Sequence, residues 1–389
     1  MNTADRIFQK FRALFPAYRR GIYMDHAAVS PFSTLARDEL LAYWKLRAGL
    51  QEGVEEGLMA MRGRLKDDIA SFIGAPSGDG IALVPNTSTG LNIVASGLPW
   101  KRGDQVLLNT LEFPANIYPF LNLERLGVHA DWIRPRDGRI SVADVAGALR
   151  PRTRLLSISF VQFLNGFRTD LETIGKLCRK RGVWFVVDGI QGLGAVPLDV
   201  KKCRIDALAS GGAKWLMWPM GTGFLYCAPE LLKAIHPAHA GWLAVKDAWN
   251  FREYKLDFLE TAEKFEGATL NWMGLSVAHR MLREFLALGR ERIWTRINAL
   301  STRILEGCEN LGLEIITPKE PEHRSGIVTI RVPDAEKVHR RLARAGVVIS
   351  LREGLLRISP HCTNTEEDVE RLLRILRTAT QQGKSFRGK

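Results

Sequence analysis

The 389-residue sequence lacks the marks of several protein classes. It has no run of about 18 or more uncharged apolar residues, which excludes a helical membrane span. Its first twenty residues hold no apolar core segment and no small-residue cleavage pattern, so no secretory leader is expected there. Cysteine is scarce: Cys178, Cys203, Cys227, Cys308 and Cys362 lie far apart, with no Cys-x-x-Cys pair. His361 beside Cys362 is the nearest approach to a ligand pair, and two adjacent residues do not make a metal site. Scattered single thiols fit a reducing compartment, so a cytoplasmic protein without a metal is expected. Internal repeats and low-complexity segments are absent as well. The net charge of +13 is unusual, but the basic residues are spread along the chain without a finger, an RNP motif or a basic heptad pattern. A nucleic-acid partner is therefore not expected.

What is present is an alternation of short apolar runs with longer amphipathic ones. Strands are expected at 81–84, 105–109, 128–133, 155–160, 183–187, 207–209 and 223–227, most bounded by Gly, Pro, Asn or Asp. Helix-length stretches at 89–98, 142–149 and 171–181 lie between them. This order implies a mostly parallel sheet covered on both faces, the α/β class. Upstream, Leu58, Met61, Leu65, Ile69 and Phe72 are spaced as one face of a helix over 53–73. Downstream the texture changes to long helices at 271–288 and 291–311, strands at 326–332 and 347–350, and a last helix expected to open at Asn364 with Glu367 three residues on. The tail beyond Gln381 is polar and basic, and fraying is expected there.

In open α/β sheets the chemistry gathers beyond the carboxyl ends of the strands. After the first expected strand comes Pro85-Asn86-Thr87-Ser88-Thr89-Gly90, small hydroxylated residues opening a helix. Free N–H groups there suit a phosphate, although Thr87 or Ser88 serving only as an N-cap is the plainer reading of these residues alone. Asp188 ends the apolar run Val183-Trp184-Phe185-Val186-Val187, and a buried carboxylate needs a partner. The glycines that follow it run G-x-x-G-x-G, the reverse of the dinucleotide fingerprint. Lys214 stands between Ser210-Gly211-Gly212-Ala213 and Trp215-Leu216-Met217-Trp218. Apolar surroundings favour its free amine, the form that adds to carbonyl groups. A snorkelling lysine is the plainer alternative.

An anion cradle, a buried carboxylate and a lysine, in this order, are what pyridoxal 5'-phosphate requires. From Tyr23-Met24-Asp25-His26-Ala27-Ala28 to the C-terminal helix the chain resembles the class V aminotransferases. These are the branch of fold-type-I pyridoxal phosphate enzymes that includes cysteine desulfurases, isopenicillin N epimerase-like proteins and kynureninase. The resemblance implies a large cofactor-binding α/β domain over 20–255 with a mainly parallel seven-stranded sheet. It also implies a small α+β domain from 1–19 and 256–389, and a homodimer with shared active sites. It makes Lys214 the Schiff-base lysine and Asp188 the partner of the pyridinium nitrogen. Gln191 would reach the cofactor's phenolic oxygen, and Ser88 and Thr89 its phosphate. Thr269 would reach the phosphate of the neighbouring subunit, and Phe113 would stack on the ring, with plain core packing as its alternative. Arg357 would fork onto the α-carboxylate of an amino-acid substrate, with His26 also on the substrate side.

Several positions depart from the family pattern. Cysteine desulfurases carry a nucleophilic cysteine on a loop before the arginine, whereas Ser350-Leu351-Arg352-Glu353-Gly354 is short and has none. Persulfide sulfur transfer is therefore disfavoured. Gly211 and Ala213 replace a serine and a histidine of the family's phosphate grip. Phe163 falls near an asparagine position whose role Gln162 or Asn165 would have to take. The expected activity is a class V aminotransferase; an epimerase or racemase, or a Cβ/Cγ lyase of the desulfurase, selenocysteine lyase or kynureninase kind, is the alternative. A basic binding protein on a degenerate scaffold is a further one.

Overall fold

The computed structural model describes residues 3–49 and 52–381; the basic tail expected to fray lies outside them. Its strands are β1 (Ile22–Tyr23), β2 (Ile81–Val84), β3 (Gln105–Asn109), β4 (His129–Ile133), β5 (Thr153–Ser159), β6 (Trp184–Asp188), β7 (Ala207–Gly211), β8 (Gly223–Cys227), β9 (Glu314–Ile315), β10 (Val328–Arg331), β11 (Val347–Val348), β12 (Ser350–Arg352) and β13 (Leu355–Ile358). Seven of them form one sheet in the order β2-β8-β7-β6-β5-β3-β4. Pairing is parallel except at β8, which runs antiparallel to both neighbours. The other strands therefore point the same way, and their carboxyl ends line one edge.

Alternation along each strand splits the core in two. Leu107, Leu156, Ile158, Phe185, Val187 and Leu208 pack on one face of the sheet. Val106, Leu108, Leu155, Val186, Ala207 and Ala209 pack on the other. Burial on both faces is why these strands read as nearly continuous apolar runs. The helices are α1 (Thr3–Ala13), α2 (Thr34–Ala48), α3 (Val54–Ile73), α4 (Thr87–Gly97), α5 (Tyr118–Leu121), α6 (Val142–Ala148), α7 (Leu171–Arg181), α8 (Pro229–Ala234), α9 (Trp272–Leu288), α10 (Arg290–Asn310), α11 (Ala335–Arg344) and α12 (Glu366–Gln381). Helix α7 shows why such segments start and stop where they do. Asp170 caps the Thr173 N–H, Ile174 and Cys178 face inward, three basic residues meet the negative end of the dipole, and Gly182 turns the chain at φ 64°.

The C-terminal unit is an antiparallel sheet in the order β12-β13-β10-β9, with Leu300, Ile304, Leu342, Val369, Leu372 and Leu376 of α10, α11 and α12 in its core. A two-residue turn joins β12 to β13, with Glu353 at φ 48° and Gly354 at φ 73°. Both central residues are left-handed, the type I′ geometry that suits the twist of a hairpin.

Several expected boundaries shift. Strand β1 pairs in parallel with β11, and Ile22 and Met24 join the C-terminal core. Residues 22–24 thus leave the large unit expected to begin at 20. Helix α9 packs on α2 and α3, with Val277, Met281 and Phe285 in the same core as the large sheet, although it falls within the expected 256–389. The strand expected at 347–350 splits into β11 and β12. The last helix is capped one residue late, by a reciprocal pair in which the Asp368 N–H donates to Thr365 Oγ1 and the Thr365 N–H to Asp368 Oδ2, both at 3.1 Å. Among the described residues no helix is long and apolar enough to cross a membrane.

Candidate active site

Three chain segments meet at the carboxyl edge of the large sheet. Strand β2 leads into α4, whose N-cap is Asn86: its Oδ1 accepts from the Thr89 N–H at 2.9 Å. Thr87 is turned inward instead, and its Oγ1 accepts from the Gly211 N–H at 2.8 Å, tying the start of α4 to the end of β7. Gly90 permits this approach, since a Cβ there would lie 2.9 Å from Ala209 Cβ. Ser88 and Thr89 stand half-buried on the first turn of α4, at the positive end of its dipole.

Asp188 closes β6 and is 2% exposed. Its Oδ1 accepts from the Ile190 N–H at 3.0 Å, and among the described residues Oδ2 has no donor. Burial raises its pKa; the Ile190 bond opposes that, and the Glu112 charge adds to it. Lys214 follows β7, its carbonyl held by Ser30 Oγ at 2.5 Å and by the Met217 N–H at 3.0 Å. Burial lowers the pKa of its amine; the Asp188 charge opposes this, while Arg357 and Arg352 push it further down. The two groups feel one another, yet they form no ion pair. Phe113, 48% exposed, lies with its ring centroid 5.8 Å from Lys214 Nζ, and Phe163 meets it edge-on at 5.3 Å.

Arg357 reaches this space from β13. Its side chain is 2% exposed and stands 3.8 Å from Asp25 Oδ1. One terminal nitrogen donates to the Phe163 carbonyl at 2.8 Å and the other to Ser350 Oγ at 3.3 Å, while Nε has no partner. Burial brings its pKa down to about 10. Gln191 is buried. Its Nε2 donates to the Ala27 carbonyl at 3.0 Å, and its Oε1 accepts from the Trp215 indole at 3.1 Å. The amide orientation is thus set by Trp215, leaving the second N–H of Nε2 for another acceptor.

Two expected residues are not brought in. His26 is fully buried: Nδ1 meets the Ser359 carbonyl and Nε2 the Tyr18 hydroxyl, both at 3.2 Å. Both ring nitrogens are engaged within the protein, so neither is available to a substrate. Its place in a motif block gave no hint of that burial. Thr269 is exposed on the loop before α9, and none of the contacts joining the other site residues reaches it.

Glu112, which the sequence reading passed over, has the densest polar contacts. It is 8% exposed. Its Oε1 accepts from Asn109 Nδ2 at 2.6 Å, the Ser159 N–H at 2.8 Å and Gln162 Nε2 at 2.9 Å. Its Oε2 accepts from Asn116 Nδ2 at 3.0 Å and from the Ser159 hydroxyl. A carboxylate directly before Phe113, after an apolar strand, was the available signal.

These residues fit pyridoxal phosphate. Among the described residues, a carboxylate with one oxygen free of donors, an unpaired amine, a helix N-terminus and an arginine with an unpartnered Nε gather at the carboxyl edge of the large sheet. Fold and site together define a fold-type-I enzyme that depends on this cofactor. The family model described as "Aminotransferase class-V" matches residues 22–372. A probable cysteine desulfurase of Pyrococcus abyssi is 30% identical over 396 residues, covering 95% of this chain and 97% of its own. An uncharacterized aminotransferase of Bacillus subtilis, YcbU, is 24% identical over 371 residues, covering 93% and 95%. Among solved structures, the cysteine desulfurase of Thermococcus onnurineus NA1 superposes with a TM-score of 0.88 at 26% identity, covering 96% of this chain and 98% of that one. The chain belongs to the class V aminotransferase family and is a pyridoxal-phosphate enzyme acting on amino acids.

Proposed function

We propose that the reaction is amino-group transfer between an amino acid and a 2-oxo acid, with Lys214 moving the proton. The observation that carries this reading is the phenyl ring of Phe113 beside Lys214 Nζ, a position that offers no second acid or base. When bound, pyridoxal phosphate supplies an electron sink for the pair left as the substrate Cα–H bond breaks. Lys214, its amine favoured by burial, would take that proton and return it to the cofactor carbon two atoms along, beyond the nitrogen. Asp188 would hold a proton on the ring nitrogen, Ser88, Thr89 and the α4 N-terminus would hold the phosphate, and the remaining Gln191 N–H would donate to the phenolic oxygen. Arg357 orients the substrate through its carboxylate, and Phe113 with Phe163 excludes water.

A lyase needs an acid for its leaving group, and a two-base racemase needs a second proton donor. Phe113 provides neither. Sulfur transfer needs an exposed thiolate near the substrate. Cys362 is fully buried and burial pushes its pKa up, while Cys203 precedes β7 at the opposite edge of the sheet. Five free thiols fit a cytoplasmic setting. The enzyme works as a homodimer in this reading, with Thr269 serving the partner's phosphate. Support comes from an exposed aromatic patch, Trp242, Trp249 and Phe251 with their rings in mutual contact, of the kind that subunit contacts cover.

The test is incubation of holoenzyme with amino donors and a 2-oxo acid, assaying the new amino acid, and separately with cysteine, assaying sulfide. Transfer without sulfide is expected; sulfide release with no transfer contradicts the proposal. Light scattering reads the dimer, and a monomer at assay concentration removes the shared-site part.

A further inference from the structure

Arg352 stands beside Arg357 with no acidic partner. The hairpin register places Ser350 opposite Arg357 and Arg352 opposite Leu355. Residues two apart on a strand share a face, so Arg352 shares that of Ser350 and Arg357, the face turned to Lys214. Diagonal neighbours across such a pair lie about 7–8 Å apart, a gap that two arginine side chains can close on one small molecule. Arg352 is exposed and forms no ion pair among the described residues, yet its charge acts on Asp25, Lys214 and Arg357. Asp25 is already engaged, accepting from Ser350 Oγ at 2.6 Å.

The charges at the mouth of the site are therefore unbalanced. In the reading above, Asp188 faces the ring nitrogen, and the substrate α-carboxylate answers Arg357. The four groups on the substrate Cα are then assigned: hydrogen to Lys214, nitrogen to the cofactor, carboxylate to Arg357, and the side chain to the remaining direction. Arg352, on the same strand face as Arg357 and with its charge acting on both Lys214 and Arg357, is the exposed cation left to answer that side chain.

We propose that Arg352 is a specificity-determining residue that binds a second acidic group, so that the preferred substrate is an amino acid with an anionic side chain. This rests on the amino-acid reading of the site and goes beyond it by naming the substrate class. The anion is a carboxylate or a phosphate ester; guanidinium forks onto either.

The test titrates the pyridoxal phosphate holoenzyme with aspartate, glutamate and phosphoserine against alanine, norvaline and serine, following cofactor absorbance and half-transfer. Acidic amino acids should bind at least about tenfold more tightly than neutral ones of like size, the worth of one charge-assisted hydrogen bond. In Arg352→Gln the ratio of acidic to neutral affinity should collapse towards one, and Arg352→Lys should restore part of it. The carboxylate and phosphate arms identify the anion. If neutral amino acids bind as well as acidic ones, or if Arg352→Gln shifts both series by the same factor, the role of Arg352 is refuted while the amino-acid reading stands. If no amino acid of either series perturbs the cofactor, both fall.

Discussion

Replacing Glu112 with glutamine keeps the side chain's shape and removes its charge. The consequence follows from its five donors. The amide oxygen can replace Oε1 and still accept from Asn109, the Ser159 N–H and Gln162, as neutral bonds in place of charge-assisted ones. The amide nitrogen must then face Asn116 and the Ser159 hydroxyl. That hydroxyl can rotate to accept. Asn116 cannot simply flip, because its Oδ1 already accepts from Ser157 Oγ at 2.6 Å. Two buried N–H groups, one on each amide, then face each other without an acceptor, and three bonds weaken, so Glu112→Gln should cost at least about 2–4 kcal/mol. Glu112→Ala strands all five donors and should approach the exceptional end of single-residue effects, about 4–5 kcal/mol. Urea denaturation of the holoenzyme reads both, as a lower midpoint at unchanged slope. Losing this charge also makes Asp188 easier to ionise, since Glu112 opposes its ionisation, so cofactor binding should survive while stability falls. A Glu112→Gln protein within about 0.5 kcal/mol of the parent, the range of an ordinary surface change, would refute the reasoning.

Acid should destabilise the fold through its buried histidines. Burial takes His361 from 6.5 to about 4, so between those values the unfolded chain binds a proton that the folded chain refuses. Stability then falls as the pH drops through that window, by up to about 1.4 kcal/mol per pH unit. Urea midpoints from pH 7 to 4 check this, and His361→Gln should flatten the slope. Arg357→Lys keeps the charge and loses the fork, so steady-state kinetics should show KM for amino acids rising roughly tenfold or more, with cofactor content retained. Equal KM values would remove Arg357 from substrate binding.

Much of the large sheet was legible because its strands are buried on both faces and punctuated by turn residues. The run at 223–227 shows the limit: its place in the sheet was readable, while its antiparallel direction depends on where the chain returns. Asp188 and Lys214 stood out because a charge at the end of an apolar run is costly without a partner. Glu112 offered a similar cue, a carboxylate just after an apolar strand, but its donors come from three separate stretches, 109–116, 159 and 162, and no local pattern reports such convergence. The same holds for β1 pairing with β11: two residues find partners more than three hundred positions away, and neither run has a period to read. His26 shows the opposite error, a polar residue in a motif block assigned to substrate although the fold buries it under Tyr18, Trp215 and His361.

Every role assigned to the site depends on Lys214 carrying the cofactor. Borohydride reduction of the holoenzyme, followed by proteolysis and mass spectrometry, reads this directly. A pyridoxyl mass on the peptide containing Lys214, lost in Lys214→Ala, is the predicted result. The same mass on a different lysine, with Lys214 unmodified, would contradict it.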